Sequence, residues 1–206
     1  MSATAFKDLS PTTLADCLPR AQIMDSTIRP RSSTSARIAG PAYTVRCGPG
    51  DNLMLHAAIY RAPAGAVIVV EAADADFALA GGNVCAVAQQ NGIAAFVLGG
   101  AIRDVAEIRA SGFAVFCRGV IPKAGSKEHL GSLGAVVSCG GVRVAPGDII
   151  VGDEEGIVVV PHRDADSVLA AAQKRAAADG AQTLQAWEQD HRARIAAILA
   201  AKGFEG

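Results

Sequence analysis

Residues 66–98 constrain the fold more than any other part of the chain. Ala66 to Val70 is an unbroken apolar run of strand length. Gly81 to Asn91 has the length of a helix and stops at Gly92. Ala94 to Leu98 is a second apolar run. Runs this short, apolar at every position, suit strands covered on both faces. A helix between two of them makes a βαβ unit, with parallel strands and a right-handed crossover. The pattern continues: Asp104 to Ala110 reads as a short helix ended by Gly112, and Ala114 to Cys117 as a third strand.

The flanks are less regular. Ser10 is placed to cap a short helix with Pro11 at its first position. Pro19, Pro30 and the polar run Arg31 to Ser35 mark an irregular stretch. Ala42 to Cys47 reads as a strand and Gly48-Pro49-Gly50 as a turn. Asp51 then caps a helix with Leu53, Met54, Ala57 and Ala58 on one face. After Ala135 the strands shorten to AVVS, VRV, DIIVGD and GIVVVP, separated by glycine turns. This predicts an antiparallel meander packed on the parallel half. From Asp164 the chain is Ala-rich and helical, with a break expected near Gly180. Leu184, Trp187, Ile195 and Ile198 share one face of the last helix. No linker or repeat interrupts the pattern, so the chain reads as one α/β domain over residues 1–206, with its core at 10–180 and a helical extension at 181–206.

Half of the 206 residues are apolar but only 4% are aromatic, so Val, Ile, Leu and Ala must fill the core. A net charge of −1 without charged blocks argues against a general nucleic-acid or membrane-surface binder. Charges and glycines interrupt every candidate membrane span. Residues 1–9 carry Lys7 and Asp8 and lack a signal-peptide core. Cys17, Cys47, Cys85, Cys117 and Cys139 form no CxxC pair, which fits free thiols in the reducing cytoplasm.

Two segments could carry chemistry. Gly81-Gly82-Asn83-Val84 opens a helix, where glycines admit a close ligand and free amides favour a small carboxylate. The same glycines would also serve a tight turn, and they do not make a dinucleotide fingerprint. Arg103-Asp104 follows a buried strand, at the end of a parallel sheet where ligands bind. Arg103 offers a donor fork to a carboxylate or enolate oxygen, and Asp104 could hold a hard cation. Asp104 would equally serve as the cap of the next helix. His56 and His191 read as structural, and His129 and His162 have no ligand-like neighbour in sequence. The lysines are dispersed, which disfavours Schiff-base chemistry. Asp153-Glu154-Glu155 reads as a hairpin tip.

Taken together, Pro49 to Asn52, Ala64 to Val70, Gly81 to Asp104 and Pro146 to Pro161 resemble the RraA-like family in order and spacing over residues 10–180. That family holds 4-hydroxy-4-methyl-2-oxoglutarate and 4-carboxy-4-hydroxy-2-oxoadipate aldolases as well as protein regulators of ribonuclease E. The resemblance implies a β/β/α sandwich, assembled as homotrimers or hexamers with sites at subunit interfaces. It matches Asp104 to a ligand of Mg²⁺ or another divalent cation such as Mn²⁺, and Arg103 to a substrate-contacting arginine. It matches Gly81, Gly82, Asn83 and Val84 to the segment that takes the pyruvyl carboxylate.

The implied activity is metal-dependent cleavage of a C–C bond in a 2-oxo acid to release pyruvate, as an aldolase, an oxaloacetate decarboxylase or both. The alternative is a non-catalytic regulator that binds ribonuclease E. One position departs from the pattern. The aldolases resemble Asp-x20-Arg-Asp, and here the first acid falls on Gly82. Asp74 and Asp76 are the nearest upstream carboxylates that could stand in.

Overall fold

The computed structural model describes residues 3–31 and 37–204. Most of the polar run at 31–35 lies outside them. Strands β1 (Arg29–Pro30) and β2 (Ile38–Arg46) flank that gap, and helix α1 (Pro11–Ala15) precedes it. The Ser10 hydroxyl accepts the Thr13 amide at 3.1 Å, the expected cap. Then come α2 (Leu53–Ala58), β3 (Val67–Glu71), β4 (Ala78–Ala80), α3 (Gly82–Gln90), β5 (Ala95–Ile102), α4 (Val105–Ser111) and β6 (Ala114–Val120). The chain continues through β7 (Ser132–Leu133), β8 (Val137–Cys139), β9 (Val142–Val144), β10 (Ile149–Asp153) and β11 (Gly156–Val160). It finishes with α5 (Ala165–Ala181) and α6 (Leu184–Ala201).

The main sheet runs β1-β6-β5-β3-β2-β10-β11, with β4 on β5 and β7 on β2. Strands β2, β3, β5 and β6 are parallel, so the expected βαβ core is present. Strict alternation along them feeds two cores. Val45, Ile68, Val70, Phe96, Leu98 and Val115 pack under α2, α3 and α4. Ala42, Val67, Val69, Val97 and Phe116 pack on the other face against Val137, Val142 and Val144 of β8 and β9. The opposite face of β10 and β11 buries Ile149, Val151, Val158 and Val160 against Leu14 of α1 and Val168 of α5. These layers form the β/β/α sandwich.

Three expectations need correction. The meander is not continuous: β8 and β9 form a separate two-stranded sheet, while β10 and β11 join the main sheet antiparallel to β2. The two hairpins cover different surfaces, which strand runs alone do not reveal. Strand β5 does not stop at Leu98 but continues through Gly99 and Gly100 to Ile102, where β4 and β6 both pair with it. A side chain at Gly99 would press on the Val70 carbonyl, 3.0 Å from the added carbon. The glycines therefore sit inside the sheet, not in a loop. On α2 the buried residues are Met54, Leu55 and Ala58, so the inward face is rotated from the expected one. The final helical break falls, as expected, next to Gly180: α5 ends at Ala181 and Thr183 caps α6.

The candidate active site at the ends of β4 and β5

Strands β4 and β5 run side by side and end together, and the Arg103 amide donates to the Ala80 carbonyl at 3.0 Å. This pairing, absent from the sequence reading, brings Gly81–Val84 beside Arg103–Asp104. Gly81 has extended backbone that any residue could adopt. Its constraint is space: a side chain there would collide with the Asp104 carboxylate and crowd Arg103. Gly82 begins α3 and donates its amide to Asp104 Oδ2 at 3.1 Å. The amides of Asn83 and Val84 are the next ones that a helix leaves without an internal acceptor. Positive potential thus converges here from the helix start and from Arg103.

Asp104 has φ 57° and ψ 43°, and among the described residues it alone, apart from glycines, has positive φ. Left-handed backbone at a non-glycine residue costs free energy, on the order of 1 kcal/mol, and persists where the surroundings enforce it. Asp104 stands at the cap position of α4 but does not cap it with its side chain. Its carboxylate reaches across to α3 instead. Arg103 Nε lies 3.6 Å from Oδ2, and both side chains are nearly half exposed. Oδ1 accepts no hydrogen bond among the described residues. One oxygen therefore orients the group and the other is open to a ligand.

The other candidates are occupied elsewhere. Asp74 accepts amides from Gly50 at 3.0 Å and Asp76 at 3.2 Å, so it is tied to the turn before α2. His56 is half-buried on α2, and burial together with the Lys127 charge lowers its pKa. His129 has a partner that the sequence hid, the Asp51 carboxylate at 3.7 Å. His191 stacks on Trp187, 4.6 Å between ring centres. Asp153 sits at a hairpin tip and pairs with Arg37 at 3.1 Å. Cys47, Cys85 and Cys139 are buried, which pushes their thiols up to about 11, 12 and 12. Among the described residues, no three His, Cys, Asp or Glu side chains gather as a metal cage.

The sequence reading missed Glu107. A Cβ placed on Gly82 would lie 3.0 Å from the Glu107 Cβ and 3.6 Å from the Asp104 Cβ. Its signal was available: residues three apart on a helix share a face.

A family model described as RraA-like, Aldolase/RraA, matches residues 11–159. The chain belongs to the RraA-like family. Its relatives include "Putative 4-hydroxy-4-methyl-2-oxoglutarate aldolase" of Halalkalibacterium halodurans, 41% identical over 180 residues, which are 87% of this chain and 85% of that protein. Among solved structures, one from Geobacillus kaustophilus is described as an S-adenosylmethionine:2-dimethylmenaquinone methyltransferase. It is 30% identical with a TM-score of 0.67, covering 74% of this chain and 95% of that one. Another, from Streptomyces coelicolor, is described as an unusual member of the RNase ES inhibitor RraA protein family. It is 26% identical with a TM-score of 0.72, covering 93% and 96%. The names differ while the fold is shared, so function must be argued from the site.

Proposed function

We propose that this protein is a divalent-cation-dependent lyase that cleaves a C–C bond in a 2-oxo acid and releases pyruvate. Asp104 carries the reading. A strained, half-exposed aspartate directs one oxygen to a helix-start amide and leaves the other open, beside an arginine. That donor set fits Mg²⁺ or Mn²⁺, which often take one or two carboxylates and complete their shells with water and substrate oxygens. When bound, the cation supplies Lewis-acid stabilisation of charge developing on the 2-oxo oxygen. Arg103 orients the substrate and donates to the enolate oxygen. The Asn83 and Val84 amides hold the carboxylate next to the keto group, aided by the α3 dipole. These donors are fixed before the reaction, so charge develops into a prepared environment.

The aldolase name of the relatives supports a 4-hydroxy-2-oxo diacid as substrate, and the same enolate chemistry extends to decarboxylation of oxaloacetate. Because Arg103 and Asp104 are half exposed, we place the working site at a contact between copies in a homotrimer or hexamer. Pyruvate release from 4-hydroxy-4-methyl-2-oxoglutarate and oxaloacetate, measured with Mg²⁺ or Mn²⁺ and with EDTA, tests the reading. Release that EDTA abolishes is the expected result. No pyruvate from either substrate overturns it and favours a regulator that binds ribonuclease E.

A further inference from the structure

We infer that Glu107 is the group that accepts the substrate hydroxyl proton, an assignment that rests on the lyase reading above. The lyase reaction of a 4-hydroxy-2-oxo acid requires removal of that proton as the C3–C4 bond breaks. The side chains nearest Gly81 and Gly82 belong to Arg103, Asp104 and Glu107. Arg103 stays protonated at any working pH. Asp104 is turned to the Gly82 amide, and the lyase reading assigns its other oxygen to the cation. Glu107 is exposed, and no hydrogen bond or ion pair engages it among the described residues.

A glutamate in the first turn of a helix has an ordinary electrostatic use. That use does not explain Gly82. With no side chain there, the Cβ atoms of Glu107 and Asp104 flank one small space at the start of α3, 3.0 and 3.6 Å from where a Cβ on Gly82 would stand. A side chain at position 82 would press on the Glu107 stem, which would have to give by a few tenths of an ångström. The two stems therefore stand three residues apart at the start of α4 beside the same space, the Asp104 carboxylate held by the Gly82 amide and the Glu107 carboxylate unengaged among the described residues.

The step balances without a further reactant. The Glu107 carboxylate takes the hydroxyl proton, and the O–H electron pair becomes the C=O bond of the departing product. The C3–C4 electrons form the enolate of pyruvate, whose charge Arg103 and the amides hold. Protonated Glu107 then returns the proton to C3, giving pyruvate and the original carboxylate.

The test compares wild type with Glu107→Gln and Glu107→Ala, using 4-hydroxy-4-methyl-2-oxoglutarate as substrate and Mn²⁺ alone as the binding probe. A general base contributes about 10²- to 10⁴-fold, so kcat in Glu107→Gln should fall by that range while KM and Mn²⁺ affinity hold. Added formate should restore part of the Glu107→Ala activity, which a purely structural role would not allow. Wild-type kcat in a folded Glu107→Gln overturns the assignment and leaves the lyase reading standing. Loss of Mn²⁺ binding in that variant also overturns it, because Glu107 would then serve the cation. Absence of pyruvate from the wild-type protein overturns both.

Discussion

Asp51 and Asp104 occupy matching places in the chain, each after a parallel strand and just before a short helix. In sequence they look alike, as acidic residues ahead of apolar helix starts. In the structure they are opposites. The Asp51 side chain is fully buried, and both of its oxygens are used. Oδ1 accepts the Leu53 amide at 2.8 Å, and Oδ2 accepts the Ser126 hydroxyl and the Glu128 and His129 amides at 2.8, 2.6 and 3.1 Å. These bonds fasten the 126–129 segment to the start of α2. Burial by itself would raise its pKa, but the four donors outweigh it and hold the group at about 2. Asp104 is half exposed, strained and only partly satisfied. A carboxylate whose acceptor sites are filled by its own chain is structural, whereas one held by a single oxygen is left available for chemistry.

The sharpest break of this comparison is Asp104→Asn. Asparagine tolerates left-handed backbone and can still accept the Gly82 amide. The fold and melting temperature should hold. Cation binding, read by calorimetry, should be lost, and lyase activity should drop by about 10³-fold, the scale of a missing Lewis acid worth several kcal/mol. Equal Mg²⁺ affinity in wild type and variant would remove Asp104 from the site. Arg103→Ala should act in the same direction, lowering kcat by about 10²- to 10³-fold as loss of a preorganised donor does. Cation binding should remain, and a variant with full kcat would show that Arg103 only faces solvent.

Asp51→Ala should show the reverse profile. It leaves four part-buried donors without their acceptor, at up to about 1–3 kcal/mol each before relaxation. Denaturant unfolding should report a loss of at least that size for the whole site, and Mg²⁺ binding by the folded fraction should persist. The pH dependence follows with a definite sign. The folded pKa of about 2 lies below the ordinary 3.8. Its stabilisation, about 2 kcal/mol, is complete above pH ~4 and is lost as pH falls toward 2. Acid titration of unfolding should be flatter in Asp51→Asn within that window.

The smallest effect concerns α6, where no residue is buried and Leu184, Trp187, Ile195 and Ile198 are exposed. Light scattering should give a mass of three or six times the 20.9 kDa chain. Trp187→Glu should weaken assembly more than it changes the fold. A monomer at micromolar concentration would leave both the apolar stripe and the exposed Arg103–Asp104 pair without the expected cover.

The parallel core was legible because its signal is local: apolar runs of strand length, a helix between them, and glycine stops at Gly92 and Gly112, which have φ of 77° and 71°. The Gly81–Val84 and Arg103–Asp104 segments were also legible as separate candidates. Their meeting was not, because Ala78–Ala80 is too short to read as a strand and its pairing with β5 is nonlocal. The capping alternative for Asp104 read its direction wrongly for a related reason. A side chain's partner depends on backbone dihedrals, and a left-handed aspartate is not visible in composition or period.

By itself the sequence determined the alternation that sends Val67 and Val69 to one face and Ile68 and Val70 to the other, and so the existence of two cores. It also determined which residue types could handle an anion, a cation and a proton. Tertiary structure alone decided which of them meet. It spent Asp74 on the Gly50 amide, buried Asp51 under four donors, turned Asp104 toward Gly82 and set Glu107 against the same glycine. The physical reason is range. Hydrophobic period acts within a few residues and survives translation into sequence pattern. Carboxylate satisfaction depends on donors as far as 78 positions away, as between Asp51 and His129, and these are brought into contact only when the sheet has formed.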